Sequence, residues 1–248
     1  MAWLTLLIVL PLLGAAVAWF VGDGAARQVG LATAVLNFAT ALAMALGFSP
    51  SSDAFLQFTE SHAWIPSFGV SYSLGVDGIA LVLILMATML VPVTLLAGWH
   101  EMEGGQGSIR GYIVLTLVLE SMMVGVFAAT DVFLFYVFFE AILIPMYFLI
   151  GRYGGAKRAY ASIKFLLYSL LGGLLMLASL IGLWVQARSQ LGAGTFDWAT
   201  LSQLDFDPTT EKWLFMGFFI AFAVKAPSCP CIRGYLTPLE RRRLVQQR

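Results

Sequence analysis

Charge is what this sequence has least of. Asp, Glu, Lys and Arg make up 11% of its 248 residues and hydrophobic residues 60%, where an ordinary soluble domain carries about 25% and about 45–50%. That balance excludes a water-soluble globular domain and points to a chain that lives in a lipid bilayer. Fourteen basic and fourteen acidic residues cancel, so no net field is available to recruit nucleic acid. Cysteine is nearly absent. Cys229 and Cys231 stand one residue apart near the end, a poor spacing for an intrachain disulfide and too few ligands for a zinc or iron-sulfur site. No metal centre is expected.

The amino-terminal run "MAWLTLLIVLPLLGAAVAWFVG" lacks the basic start of a signal peptide and is about as long as the ~20 residues that span a membrane. It reads as a retained first helix. Further apolar runs long enough to cross a ~30 Å core lie near 29–48, 79–97, 112–129, 132–150 and 160–185, and a seventh starts near Trp213 and reaches Pro227. The fold expected is all-α: a polytopic transmembrane helix bundle with six complete spans and a partial seventh, in one hydrophobic domain, 1–227. Only Thr130 and Asp131 separate the fourth and fifth spans, which makes them antiparallel neighbours. The segment 49–77 reads as a longer loop whose Trp64 and Tyr72 suit the membrane interface. Arg27, Arg110, Arg152, Lys157 and Arg158 fall on one side, Arg188 and Lys212 on the other. The positive-inside rule then puts the amino terminus outside.

Four ionisable residues fall inside these runs: Glu120, Glu140, Lys164 and Lys225. Glu140 lies roughly 13 Å along its helix and Lys225 roughly 18 Å along its own, both near mid-membrane; Glu120, about 12 Å along, falls in the same layer. A charge at that depth costs a few kcal/mol and normally faces the bundle interior with a partner or a water-filled cavity. Two readings are open for Glu140 and Lys225. They are a static ion pair joining helices, or a switchable pair in a proton path, because a carboxylate's proton affinity depends on whether an ammonium stands beside it. Lys164, about 6 Å deep, either snorkels to the headgroups or joins the path. Pro145 and Pro227 loosen helix hydrogen bonding beside Glu140 and Lys225, a habit of transporters that helices in lipid also tolerate without function. Gly172, Gly173, Met122 and Met123 read as packing residues.

The stretches "DVFLFYVFFEAILIPMYFLIG", "GGAKRAYASIKFLLYSLLG", "YSLGVDGIA" and "FAVKAP" resemble, in order, the M-type antiporter-like membrane subunits of bacterial NADH-quinone oxidoreductase, respiratory complex I. The resemblance covers residues 1–227. It implies a proton-translocating subunit in the bacterial plasma (inner) membrane, partnered by other membrane subunits of that complex and by the lipid bilayer, with no nucleic acid. Glu140 would match the family's fifth-helix glutamate and Lys225 its seventh-helix lysine, the input half of a proton channel, with Glu120 and Lys164 as further polar residues of the region. NADH, FMN and iron-sulfur clusters would sit in other subunits, and this chain would hold no cofactor and no redox site. A multisubunit sodium/proton antiporter is the related alternative, and a non-functional truncated fragment is the other.

After Pro227 the resemblance stops. The family would continue with something like "LFPFHTWLPDAH" and about seven more helices, whereas this chain reads "SCPCIRGYLTPLERRRLVQQR". Joining the third base of each codon to the first two of the next, from Pro227 to Pro238, allows "LLPLHTWLPDA". The expectation is a frameshift near codon 227, with 228–248 an out-of-frame tail in which Cys229 and Cys231 carry no chemistry.

Overall fold

A computed structural model describes residues 2–49, 54–99 and 108–226. Helices α1 (Trp3–Phe20), α2 (Asp23–Leu46), α3 (Gly78–Ala97) and α4 (Ile109–Ala128) are followed by α5 (Val132–Ala141) and α6 (Leu143–Tyr153), then α7 (Arg158–Leu191), α8 (Trp198–Leu201) and α9 (Pro208–Lys225). Six spans among the described residues are long and apolar enough to cross a membrane, α5 and α6 together forming one of them. Leu13, Phe20, Val82, Leu167 and Leu171 are exposed on their outer faces. Apolar side chains on the outside of helices whose backbone bonds are satisfied internally are what a lipid environment requires.

Aspartates set where several of these helices start. Asp77 accepts from Ala80 N at 2.7 Å, Asp197 from Thr200 N at 2.9 Å and Asp207 from Thr209 N at 3.1 Å, with Pro208 in the first turn of α9. Each carboxylate satisfies N–H groups that the first turn leaves without intrahelical partners. The second span begins earlier than the hydropathy suggests, at Asp23 rather than Val29, because the polar start "DGAARQ" is helical too. The sixth runs on to Leu191. Its 34 residues measure about 51 Å, longer than the hydrocarbon core, so its end stands clear of it.

Segment 49–77 differs more from its expectation. It is not a plain loop but contains an antiparallel hairpin, β1 (Gln57–Ile65) with β2 (Val70–Val76), pairing Glu60 with Leu74 and His62 with Tyr72. Gly69 adopts φ 69° at its turn, a left-handed conformation that favours glycine. The hairpin ties one end of the bundle together. Glu60 Oε1 accepts from Leu4 N at 2.9 Å, satisfying the start of α1, and Trp184 of α7 donates its indole N–H to Phe68 O at 2.8 Å.

Helix α4 packs against α1, α2, α3, α5 and α6, and α7 against α5, α6 and α9. Small residues line the close contacts: Ala15, Ala18, Ala26, Ala34 and Ala41 are all buried within α1 and α2. In lipid, helices associate through such close backbone approach rather than through expulsion of water. The readings of Pro227, Cys229, Cys231 and the tail fall outside the described residues.

Candidate functional site

The fifth span is interrupted beside its carboxylate. Pro145 has no N–H to offer the carbonyl of Ala141 one turn earlier, and the helix breaks at Ile142. Ile142 keeps helical dihedrals, φ −56° and ψ −30°, so the chain continues in the same direction across the break. Glu140 lies in the last turn of α5, where backbone carbonyls lack a full set of intrahelical donors.

Lys225 is the last residue of α9. The next residue, Ala226, precedes Pro227 and takes an extended ψ of 135°, as the residue before proline is pushed out of the helical region. The helix therefore stops where its ammonium reaches α5. Lys225 Nζ donates to the backbone oxygen of Phe139 at 2.5 Å, lies 3.2 Å from the centroid of the Phe139 ring, and stands 3.9 Å from Glu140 Oε1. The cation thus rests on the carbonyl end of α5, which its charge favours, and on an aromatic face.

The Glu140–Lys225 pair is loose. At 3.9 Å it is an ion contact beyond hydrogen-bond range, the two side chains are 17% and 18% exposed, and Glu140 Oε1, sealed from solvent, has no hydrogen-bond partner. Such an arrangement leaves the ammonium two acceptors to choose between. A fully hydrogen-bonded buried pair would lock it to one.

Two residues beside this pair have no charge to mark them in the sequence. Phe139 supplies both the carbonyl and the ring. Gly173 of α7 supplies space: a Cβ built there would overlap the Glu140 carboxylate. Its neighbour Gly172 faces α9, where a Cβ would stand 3.3 Å from Ala221 Cα. Read as packing residues, the two glycines divide their work, one admitting the carboxylate and the other the backbone of the helix that carries the lysine. The only advance signal was the cost of two glycines inside a helix, about 1 kcal/mol each relative to alanine.

The other two ionisable candidates make their contacts elsewhere. Glu120 is fully buried, and Asn37 Nδ2 of α2 donates to its Oε1 at 2.8 Å. Lys164 Nζ lies 5.9 Å and 5.8 Å from the rings of Tyr160 and Tyr168, one turn to either side on α7.

Next to the break-bearing span, Asp131 is 1% exposed and accepts from Phe133 N at 2.9 Å, Leu134 N at 3.0 Å and Ser71 N at 2.9 Å. It caps α5 and pins β2 to it. Burial raises its carboxyl above the usual carboxylate value, the three N–H bonds oppose this, and the charge of Asp197 adds to the rise.

Residues 129–232 match the family described as NADH:quinone oxidoreductase/Mrp antiporter, TM. NADH-quinone oxidoreductase subunit M of Mycobacterium tuberculosis (strain ATCC 25618 / H37Rv) is 43% identical over 264 residues, covering 92% of this chain and 47% of its own length. The subunit M of Rhodobacter capsulatus is 39% identical, covering 92% of this chain and 46% of itself. The chain spans about half the length of the curated relatives it matches. Among solved structures, a chain of respiratory complex I from Thermus thermophilus superposes with a TM-score of 0.77 at 30% identity, covering 92% of this chain and 45% of that one. A chain of the Mrp complex from Dietzia sp. DQ12-45-1b shares the fold, with a TM-score of 0.75 at 22% identity over 92% of this chain and 24% of that one. Over residues 129–232 the chain thus matches the NADH:quinone oxidoreductase/Mrp antiporter family, and over 92% of its length it is similar to subunit M of NADH-quinone oxidoreductases.

Proposed function

We propose that this chain is part of a proton-translocating membrane subunit of an NADH-quinone oxidoreductase, working with the other membrane subunits of that complex in a bacterial plasma membrane with its amino terminus outside. The observation that carries this reading is the loose pairing of Glu140, beside the break in its span, with Lys225, at the end of α9. When the Lys225 ammonium moves toward the Glu140 carboxylate it favours the ionised acid; when it returns to the Phe139 carbonyl the carboxylate loses that support and binds a proton more readily. Quinone reduction elsewhere in the complex would drive the alternation, and the redox groups would belong to other subunits. Glu120 and Lys164, which have other partners, would act at positions away from this first pair.

The test is proton uptake driven by quinone reduction in inverted vesicles from cells whose complex carries Glu140→Gln or Lys225→Ala. Assembly is expected to persist and proton uptake to be lost. Normal uptake in both variants would sink the reading, and proton movement that requires sodium instead of quinone would replace it with a cation/proton antiporter.

The out-of-frame origin of residues 228–248 is part of the same proposal. Sequencing the locus from the codon for Lys225 onward decides it: one frame correction that yields "HTWLPDA" and further apolar spans supports it, and an uninterrupted original frame refutes it.

A further inference from the structure

Glu120 and Asn37 face each other across α4 and α2, and both are 0% exposed. Their planar side-chain groups share one hydrogen bond, from Asn37 Nδ2 to Glu120 Oε1 at 2.8 Å. The remaining oxygen of each group, Glu120 Oε2 and Asn37 Oδ1, is sealed from solvent without a partner. If Glu120 is an anion, both oxygens can only accept, and two buried acceptors are left unsatisfied on one contact. A proton on Oε2 would turn that oxygen into a donor and offer Asn37 Oδ1 a partner across the same contact.

Among the described residues no group donates to either oxygen. Thr116 Oγ1, one turn before Glu120, donates to Tyr112 O at 2.8 Å, and Ser121 Oγ, the next residue, donates to Ile8 O at 2.6 Å. Among the described residues no cation is paired with Glu120. An unpaired carboxylate with one neutral donor would bear the heavy cost of burying a charge, whereas the neutral acid brings its own O–H.

We propose that Glu120 and Asn37 form a neutral carboxylic acid–carboxamide dyad in which Glu120 Oε2 carries the proton and donates it to Asn37 Oδ1 while Oε1 accepts from Nδ2. The dyad is a second proton-holding site, built on α2 and α4 rather than on α5 and α9. Its proton is released only when one of the two groups turns away, because in the closed pair the O–H is directed at Asn37 Oδ1 and must leave that oxygen to reach another acceptor. It also fixes the two helices in register through two complementary bonds. The inference rests on the α2–α4 contact alone and stands whether or not Glu140 and Lys225 conduct protons.

The test is infrared spectroscopy of the chain in lipid vesicles at neutral pH. The wild type is expected to show a protonated-carboxyl C=O band that Glu120→Gln removes and that Asn37→Leu displaces without removing. A Glu120→Gln variant that loses carboxylate intensity and leaves the acid band unchanged would overturn the proposal, as would an acid band that Asn37→Leu does not move. A measurement on the unmutated chain covers variants that fail to insert. With ¹³C on glutamate carboxyls and ¹⁵N on asparagine carboxamides, solid-state NMR is expected to connect an Asn Nδ2 to a protonated carboxyl carbon; a correlation to an ionised carboxylate, or none, overturns it.

Discussion

The hydrogen bond of the Lys225 ammonium goes to the backbone oxygen of Phe139, 2.5 Å away, and not to the carboxylate of Glu140, whose Oε1 is 3.9 Å from it. The two acceptors are adjacent in sequence and lie in the same final turn of α5. A lysine held this way keeps its charge compensated in one position and has a second position within a small side-chain movement.

The proposed proton path calls for lysine here because its ammonium is compact and can lose its proton. Arginine at the same place has a planar fork that pairs well with a carboxylate and does not deprotonate in proteins. Lys225→Arg is therefore expected to preserve assembly and a Glu140 contact yet abolish quinone-driven proton uptake, as measured in inverted vesicles. Uptake at the wild-type rate would show that Lys225 need not release its proton.

Gly173→Ala and Gly172→Ala separate function from packing. An alanine at 173 would overlap the Glu140 carboxylate, whereas one at 172 would press on the Ala221 backbone at 3.3 Å. Overpacking of either kind costs about 1–3 kcal/mol, partly offset by the better helix propensity of alanine. Proton uptake should fall sharply in Gly173→Ala with little loss of thermal stability, since a charged side chain can swing aside. Gly172→Ala should lower the melting temperature more, because α9 must shift. The reverse order of effects would reject this division of labour.

Most of the helical architecture was legible because lipid imposes one rule on every span: a long apolar run closed by its own backbone bonds. The site was half legible. Glu140 and Lys225 announced themselves as charges in apolar surroundings, and Pro145 as a break. Phe139 and Gly173 did not, because a backbone carbonyl and a missing side chain have no compositional signature. By its depth along the chain Glu120 falls in the same layer as Glu140. Depth fixes height in the membrane and leaves open which helix a residue faces, and Glu120 faces Asn37 on α2. The hairpin at 57–76 is hard to see in the sequence because two register irregularities, between Gln57 and Glu60 and between Ala63 and Ile65, interrupt the alternation of its strands.

Asp131 uses one oxygen for the start of α5 and the other for Ser71 N of the hairpin. Asp131→Asn keeps one acceptor and turns a donor toward the other N–H, leaving a buried group unsatisfied at a cost of about 1–3 kcal/mol. Hydrogen exchange at Ser71 and Phe133 should accelerate accordingly. The wild-type junction should also depend on pH. The folded-state value of Asp131 is raised by burial, so its contribution is most favourable below the ordinary carboxylate range and is lost as pH rises through the raised value. Asp131→Asn has no titrating group there and should remove that slope; an unchanged slope would place its origin in another carboxylate.

Pro145→Ala probes the break itself. The substitution restores an N–H that can donate to the Ala141 carbonyl and removes the ring that crowds it, so α5 and α6 are expected to fuse into one continuous helix across Ile142. Fusion would satisfy carbonyls of the last turn of α5 from within the helix, and the Phe139 oxygen would then hold Lys225 less strongly. The ammonium would move toward Glu140, the one remaining acceptor of the two. The amides of Ile142, Leu143, Ile144 and Met146 should exchange more slowly with solvent, and proton uptake should fall although both charged residues are intact. A variant with slowed exchange and unimpaired uptake would show that the break at Ile142 is only tolerated, and that the pair works without it.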